Sequence, residues 1–348
     1  MSSHNQFILL LSSLLIISCL ASSSTPVIGI LSQPLRTHVT ASENDINSTD
    51  SNYIAASYVK WVELSGARSI PIPYDADDEL IHEIFSQING LLLPGGAATL
   101  PSSLRTLWKL AMNVNQQPNQ NFPIWGTCLG FEFMLELAAE EHVLQTGFNS
   151  NNVTWPLIFP TDQEQSTQEY YSTQSKLYPT PELKHMLSLK NITFNFHQNG
   201  IEPETFAKHE KLQKFFKITS YNYDLNGRPF VSSIESIQYP IYGVQYHPEK
   251  NAFEYGLQPG TSRPYEVISH TREALFLSFH LASFFGELMR NSTVGEYTLV
   301  DRHPMVIQYP LKIALNFEEM YVIPSAKYWK KEKEFGKNLR GSQESMLS

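Results

Sequence analysis

The chain has 348 residues, of which 42% are hydrophobic and 17% are charged, and its formal net charge is −9. This composition is typical of a globular protein with a full hydrophobic core. An acidic chain without a basic stripe argues against a nucleic-acid partner. In residues 327–348 lysines are interleaved with glutamates, which predicts a solvated, charged C-terminal tail.

The chain begins with an apolar run that is too short to span a bilayer. Residues 7–20 (FILLLSSLLIISCL) are almost wholly apolar or Ser, whereas a membrane-spanning helix needs about 20 apolar residues. The small residues Cys19 and Ala21 suit cleavage, so we predict that residues 1–21 are a signal peptide. The alternatives are an uncleaved membrane anchor and a lipid attached to Cys19.

Four Asn-X-Ser/Thr sequons support an export route. The candidate N-glycosylation sites are Asn47, Asn152, Asn191 and Asn291. Removal of residues 1–21 leaves Cys128 as the sole cysteine, which then has no partner for a disulfide. We interpret Cys128 as a nucleophile, the alternative being a buried apolar thiol.

The first half of the mature chain alternates between strand and helix patterns. Strands are predicted at 27–31, 69–73, 91–93 and 122–127, and helices at 53–64, 77–88 and 101–114. This order predicts an α/β fold with a mostly parallel sheet and helices on both faces. Sites in such sheets lie at the carboxyl ends of the strands, where residues 94–96 (PGG) and Cys128 both fall.

The second half of the chain is less regular. Residues 145–185 are rich in Gln, Thr, Tyr and Pro, which favours long loops or antiparallel strands. Further strands are predicted at 192–197, 215–220, 230–234 and 241–246, a closing helix at 271–289, and edge strands at 298–309 and 320–323.

Residues 122–136 (FPIWGTCLGFEFMLE) are typical of a strand, a sharp turn and a helix, with Cys128 at the corner. Glycines two residues on either side of the nucleophile allow the strand and helix to pack closely, as a nucleophile elbow requires. The N–H groups and the dipole at the start of a helix favour the thiolate form of a cysteine. The segment therefore predicts a reactive thiol.

Residues 243–249 (GVQYHPE) contain a candidate base for this thiol. A nucleophilic thiol needs a base, and the base needs a group that orients it. Pro248 biases His247 toward an extended backbone, in which side chains two residues apart point to the same side. Glu249 can then hold one imidazole nitrogen while the other faces Cys128. The alternative for this segment is a solvent-exposed turn.

Three motifs, in this order, resemble those of the class I glutamine amidotransferase superfamily: residues 94–96, 126–130 (GTCLG) and 243–249. More narrowly, the sequence resembles the γ-glutamyl hydrolase family, peptidase family C26, at residues 53–60 (YIAASYVK), 89–90 (NG), 125–132 (WGTCLGFE) and 195–197 (NFH). One departure is Tyr246, where the mammalian-like members carry Trp. The resemblance implies a flavodoxin-like α/β domain, which we place at residues 22–326.

The resemblance implies a cysteine-type omega peptidase that hydrolyses γ-glutamyl bonds of folylpoly-γ-glutamates through a thioester. On the family pattern, Cys128 is the nucleophile, His247 the base and Glu249 the third member. His197 corresponds to a family histidine that we assign to substrate positioning; the alternative is a histidine that simply closes a half-buried strand.

The oxyanion hole implied by the resemblance consists of backbone N–H groups. They belong to Leu129 and to Gly96 or Gly95. The α-carboxylate of a γ-glutamyl group needs a cationic partner, for which Arg36, Arg68 and Arg263 are candidates.

No metal or cofactor is expected, because no cluster has metal-ligand spacing and no phosphate-binding motif is present. The expected partner is a small-molecule substrate, with no nucleic acid and no membrane, and the resemblance implies a homodimer. The expected location is extracellular, lysosomal or vacuolar. Two alternatives remain for the function: another γ-glutamyl amidohydrolase or glutaminase of the superfamily, and a non-catalytic binding protein on this fold.

Overall fold

The computed structural model describes residues 25–35, 50–258, 260–296, 303–315 and 317–329. The predicted signal peptide, Asn47 and Arg36 lie outside the described residues, as do residues 330–348 of the predicted tail. Within the described ranges, no helix combines the length and the apolar character needed to cross a membrane.

Thirteen strands occur in the described residues. They are β1 (Val27–Leu31), β2 (Gln33–Pro34), β3 (Ser51–Ala55), β4 (Arg68–Ile72), β5 (Gly90–Leu93), β6 (Ile124–Thr127), β7 (Gln145–Trp155), β8 (Thr193–Gly200), β9 (Phe216–Tyr223), β10 (Pro229–Ser236), β11 (Ile241–Val244), β12 (Leu311–Ile313) and β13 (Glu319–Pro324).

The same ranges contain ten α-helices and a 3₁₀ helix at Val306–Gln308. The α-helices are α1 (Ala56–Leu64), α2 (Asp78–Phe85), α3 (Ser102–Asn115), α4 (Leu129–Ala139), α5 (Asp162–Thr167), α6 (Pro181–Leu189), α7 (Pro203–Phe206), α8 (Glu210–Phe215), α9 (Lys250–Phe253) and α10 (Arg272–Arg290).

A seven-stranded sheet with the order β4-β1-β5-β6-β11-β10-β9 forms the centre of the molecule. Its first five strands run parallel, and β10 and β9 continue the sheet in antiparallel pairing. Numbered along the chain, the parallel strands have the order 2-1-3-4-5, which is that of flavodoxin-like folds with helices on both faces. The predicted α/β fold class is therefore confirmed.

An aromatic cluster packs against Trp125 of β6. The ring of Trp125 lies 5.2 Å from that of Trp61 on α1 and 5.8 Å from that of Phe285 on α10. The indole nitrogen of Trp61 donates a hydrogen bond of 3.0 Å to the backbone oxygen of Ser278, which joins the two helices. The strand that leads to Cys128 is thus fixed within the core.

The four-stranded sheet explains why the predicted start of the first helix was wrong. The helix predicted to begin at residue 53 begins at Ala56, because Tyr53 and Ile54 belong to β3. In a four-stranded sheet of order β12-β13-β3-β2, β3 pairs with β13, more than 250 residues away along the chain. Local periodicity contains no trace of such a distant partner.

Two further regions differ from expectation. In residues 145–185 the predicted antiparallel strand is confirmed by β7, which pairs with β8, but the region also includes helices α5 and α6, whose N-caps are Thr161 and Thr180. Thr161 forms a capping box with Glu164, a signal that the sequence does contain. The edge strand predicted at 298–309 is wrong in its described part, which contains the 3₁₀ helix, whereas the strand predicted at 320–323 is confirmed as part of β13.

Candidate active site

Cys128 lies in a sharp turn between β6 and α4. Its backbone has φ +51° and ψ −106°, a conformation that non-glycine residues rarely adopt, and such strain costs about 1–3 kcal/mol. A methyl group placed on Gly130 would lie 2.0 Å from the backbone oxygen of Leu93, and one on Gly126 would lie 2.6 Å from Cε of Met134. Both glycines are thus needed for close packing, and the predicted elbow geometry is present.

His247 and Glu249 form a buried pair beside this turn. His247 Nδ1 donates to Glu249 Oε1 at 2.8 Å, which is the predicted contact. The predicted backbone is wrong, however, because Pro248 and Glu249 form a turn that leads into α9 and not an extended segment. The backbone N–H of His247 donates to the carbonyl of Phe194 at 2.9 Å, so β8 holds the segment in place. A methyl group on Gly95 would lie 2.7 Å from His247 Cε1 and 3.3 Å from Cys128 Cβ. The imidazole and the thiol therefore face the same glycine.

The surroundings of Cys128 favour the neutral thiol in the free protein. Burial raises the pKa of Cys128 well above its usual range, and the carboxylates of Glu132 and Glu249 raise it further. The N–H of Leu129 and the ammonium of Lys250 lower the pKa of the thiol, but by less. The expected preference for thiolate at the helix N-terminus is therefore outweighed by burial. A base that removes the proton at the moment of attack becomes essential.

Glu132 is a second buried acid close to the sulfur, and it was not identified as a site residue from the sequence. Gln245 Nε2 donates to Glu132 Oε1 at 3.1 Å and lies 3.8 Å from Cys128 Sγ. Burial raises the pKa of Glu132 to about 7, although the hydrogen bond from Gln245 opposes this shift. Glu132 lies in the first turn of α4, the helix that Cys128 precedes, and the sequence contained this proximity as a spacing of four residues.

We predict that the difference in the free energy of unfolding between the wild type and Glu132→Gln depends on pH. A glutamate titrates near 4.5 in the unfolded chain and Glu132 near 7 in the folded protein, so the folded state binds more protons between these values. The free energy of unfolding of the wild type should therefore fall, relative to Glu132→Gln, as the pH rises through this window. We expect a relative change of about 3 kcal/mol between pH 4 and pH 8.

Urea denaturation at a series of pH values measures this difference. Glu169→Gln, at an exposed glutamate, is the matched control and should show no comparable trend. A difference between wild type and Glu132→Gln that stays constant from pH 4 to pH 8 would contradict the raised pKa of Glu132.

Residues 94–96, which we call the oxyanion loop after the role predicted for them, follow β5 directly and face Cys128. The N–H of Gly95 donates to the hydroxyl oxygen of Tyr58 at 2.7 Å. A methyl group on Gly96 would lie 2.9 Å from Gln33 Oε1, so the loop passes close to β2 at this point. Of the two glycines predicted as oxyanion donors, Gly95 thus already has an acceptor within the protein.

Two cavities meet at Cys128 and Gly96. The first has a volume of about 470 Å³ and a largely apolar wall, which includes the stacked rings of Tyr53 and Phe317 and the ion pair between Lys250 and Glu266. The second has a volume of about 460 Å³ and a more polar wall, which includes Glu132, Asn151, His197 and Asn199. A substrate can therefore extend away from the sulfur in two directions.

His197, predicted to position the substrate, lies in the wall of the second cavity and is only 4% exposed. Its Nδ1 donates to the carbonyl of Asn199 at 2.7 Å, and Nε2 has no hydrogen-bond partner among the described residues. Burial lowers the pKa of His197 to about 4. The ring is therefore neutral near pH 7, with Nε2 as an acceptor.

Of the three cations predicted for substrate binding, the two that fall within the described residues do not line this cleft. Arg68 is exposed at the start of β4, the end of the strand opposite to that of the site, and Arg263 is also exposed. Neither lines the two cavities; the cationic side chain in the first cavity is that of Lys250. Burial opposes its charge, but the carboxylates of Glu266 and Glu254 raise the pKa of Lys250 above its usual value.

Three of the four sequons fall within the described residues. Asn191 and Asn291 are exposed. Asn152 is half-buried, and its Oδ1 accepts a hydrogen bond of 2.7 Å from the N–H of Val267. Across the described ranges, no group of three or more His, Cys, Asp or Glu is placed to hold a metal ion.

Comparison with known proteins gives concordant matches. The model of the Peptidase C26 family matches residues 26–249. Gamma-glutamyl hydrolase B of Dictyostelium discoideum is 36% identical over 294 residues, which cover 82% of this chain and 78% of that protein. Gamma-glutamyl hydrolase of Rattus norvegicus is 37% identical over 294 residues, which cover 82% of this chain and 85% of that protein.

A solved structure of a glutamine amidotransferase from Thermotoga maritima covers 76% of this chain and 99% of its own, with 11% identity and a TM-score of 0.42. The family match spans more than half of the chain, and the relatives from Dictyostelium and rat exceed 30% identity over 82% of it. The chain therefore belongs to the Peptidase C26 family, the γ-glutamyl hydrolases, and is an enzyme that hydrolyses γ-glutamyl bonds.

Proposed function

We propose that this enzyme cleaves the γ-glutamyl bonds of folylpoly-γ-glutamates and that Cys128, His247 and Glu249 carry out the reaction. The observation that carries the proposal is the buried His247–Glu249 pair beside a thiol in a strained elbow. This arrangement lies where two cavities meet, so a bond in the middle of a long substrate can reach the sulfur.

The first half of the reaction makes a thioester. His247 Nε2 removes the proton of Cys128 while Glu249 holds Nδ1–H, and the sulfur attacks the γ-carbonyl carbon. The N–H groups of Leu129 and Gly96 bind the resulting oxyanion; we choose Gly96 over Gly95 because the latter donates to Tyr58. The imidazolium then protonates the leaving amine as the C–N bond breaks.

The second half releases the acyl group. Water enters the position that the amine has left, and His247 removes one of its protons as the water oxygen attacks the thioester carbonyl. The same two N–H groups bind the second oxyanion. Collapse of this intermediate expels the thiolate of Cys128, which regains its proton from His247. The net reaction consumes one water and needs no metal or cofactor.

The shape and polarity of the cleft support a folylpolyglutamate over a smaller substrate. The stacked rings of Tyr53 and Phe317 suit a flat heteroaromatic group such as pteroyl. His197 lies, neutral, in the wall of the polar second cavity, and we propose that it positions the glutamyl chain there. Free glutamine would occupy only part of this combined space, which makes a glutaminase the weaker candidate. A non-catalytic binding protein would not need the buried His247–Glu249 pair beside a thiol, so this alternative is also weaker.

Digestion of pteroyl-γ-pentaglutamate, followed by mass spectrometry, tests the proposed substrate. The purified enzyme should release shortened pteroylglutamates, and their lengths distinguish internal from terminal cleavage. Free glutamine, offered under the same conditions, should react far more slowly. Preferential hydrolysis of glutamine would contradict the proposed substrate while leaving the γ-glutamyl chemistry intact.

We propose that residues 1–21 direct export to the extracellular space or to a lysosome or vacuole, and that the sequons at Asn47, Asn152, Asn191 and Asn291 receive N-glycans. Enzymatic deglycosylation of protein from its native source should therefore lower its mass. Asn191→Gln, at an exposed sequon, should lower the mass by one glycan. A native chain whose mass does not change on deglycosylation would contradict the glycan proposal.

The homodimer implied by the resemblance also stays a proposal. Light scattering on purified protein should give a mass near twice that of one chain. A single-chain mass across the working concentration range would contradict it.

A further inference from the structure

The side chain of Tyr58, on helix α1, contacts both the oxyanion loop and His247. It is 4% exposed, and its hydroxyl lies in the wall of the first cavity. The hydroxyl oxygen accepts the N–H of Gly95 at 2.7 Å and lies 3.4 Å from His247 Nδ1. A methyl group on Gly95 would lie 2.8 Å from this oxygen, so the loop, the tyrosine and the imidazole are in close contact.

The hydroxyl fixes the orientation of one peptide group. The hydrogen bond from Gly95 sets the plane of the peptide that precedes Gly95, and with it the direction of the next N–H, that of Gly96. It also removes Gly95 from competition for the oxyanion, because its N–H already has an acceptor. The contact with His247 Nδ1, at 3.4 Å, is longer than an ordinary hydrogen bond, and the N–H of that atom already donates to Glu249, so the bond to the loop is the stronger of the two.

The hydroxyl stays protonated at working pH. Burial, together with the charges of Glu249 and Cys128, raises the pKa of Tyr58 well above its usual value. A neutral hydroxyl accepts from Gly95 without placing a negative charge beside the developing oxyanion. This state is the one that suits a structural support for an oxyanion hole.

We propose that Tyr58 is a positioning residue that holds the Gly95–Gly96 loop in the conformation that binds the oxyanion. This inference rests on the catalytic roles proposed above for Cys128 and for the N–H of Gly96. Because the oxyanion exists only in the transition state and the tetrahedral intermediate, loss of the support should lower kcat and leave KM nearly unchanged.

Tyr58→Phe removes the acceptor and keeps the ring. An unsatisfied buried N–H costs enough to predict a kcat about 10-fold to 100-fold lower, with KM within about twofold of the wild type. Alkylation of Cys128 by iodoacetamide displaces iodide and forms no oxyanion, so it needs the thiol and His247 but not the loop. The alkylation rate of the variant should therefore stay within about twofold of the wild type.

Tyr170→Phe is the matched control. Tyr170 is also buried, and its hydroxyl donates to the side chain of Gln168, in neither cavity. This variant should retain wild-type kcat, KM and alkylation. Near-ultraviolet circular dichroism checks that both variants fold.

Two results would overturn the inference. An unchanged kcat in folded Tyr58→Phe would show that the loop needs no such support. A parallel fall in kcat and in the alkylation rate would show that Tyr58 acts through His247 instead. Cys128→Ala, assayed alongside, separates these failures from a failure of the proposed mechanism, since residual turnover in that variant would remove the thiol from its role.

Discussion

Cys128→Ala is expected to lower the rate of γ-glutamyl hydrolysis by on the order of 10⁶-fold, the loss found when a serine protease loses its nucleophile. Without the sulfur no thioester can form, and the oxyanion loop then acts only on direct attack by water. The substitution removes a small buried atom and leaves the packing of Gly126 and Gly130 in place. The folded structure should therefore persist.

The measurement is kcat/KM for a γ-glutamyl substrate, with circular dichroism and substrate binding as controls for folding. The variant should still bind the substrate, because the walls of both cavities are unchanged. Turnover within about tenfold of the wild type would show that the thiol is not the nucleophile.

Gly130→Ala is expected to destabilise the fold more than any other single change considered. The added methyl group would lie 2.0 Å from the backbone oxygen of Leu93 and 2.6 Å from its Cβ. Leu93 ends a strand that is hydrogen-bonded within the central sheet, so it cannot move without disturbing its neighbours. We expect the free energy of unfolding to fall by about 4 kcal/mol or more.

Chemical denaturation followed by tryptophan fluorescence measures this loss. Gly200→Ala is the matched control, since Gly200 is a buried strand glycine and a methyl group there would lie no closer than 3.3 Å to the ring of Phe148. The control should remain close to the wild type. An unfolding midpoint for Gly130→Ala equal to that of Gly200→Ala would contradict the elbow packing.

The parts of the site that sequence alone predicted are those encoded by local spacing. The elbow around Cys128 follows from two glycines within five residues. The contact of His247 with Glu249 was predicted from their spacing and is present, although Pro248 and Glu249 form a turn and not the predicted extended segment. The parallel sheet likewise follows from the alternation of short apolar runs with helical periodicity. In the first two cases the interacting residues are neighbours along the chain, and in the third the type of each element is set by its own local pattern.

The parts that the sequence did not predict depend on distant pairing. Gln245 reaches Glu132 and Cys128 because β11 pairs with β6 in a register that places Val244 beside Thr127. Tyr58 meets the oxyanion loop because α1 follows β3, whose position is set by β13. No local pattern contains these registers.

The protonation state of the thiol was also beyond sequence analysis. The position of Cys128 at the start of α4 predicted a stabilised thiolate, whereas burial and two carboxylates raise the pKa of the thiol. Burial is a property of the whole fold, which the sequence of the elbow does not report. The consequence is mechanistic, because in the proposed reaction the proton leaves through His247 during the attack.

Partition of the acyl group between water and hydroxylamine tests the central claim, a γ-glutamyl thioester, most directly. Hydroxylamine attacks a thioester to give a γ-glutamyl hydroxamate, which competes with hydrolysis. Substrates with the same acyl portion and different leaving amines should give the same ratio of hydroxamate to acid, because all pass through one intermediate on Cys128. A ratio that changes with the leaving amine, or the absence of hydroxamate, would contradict the thioester.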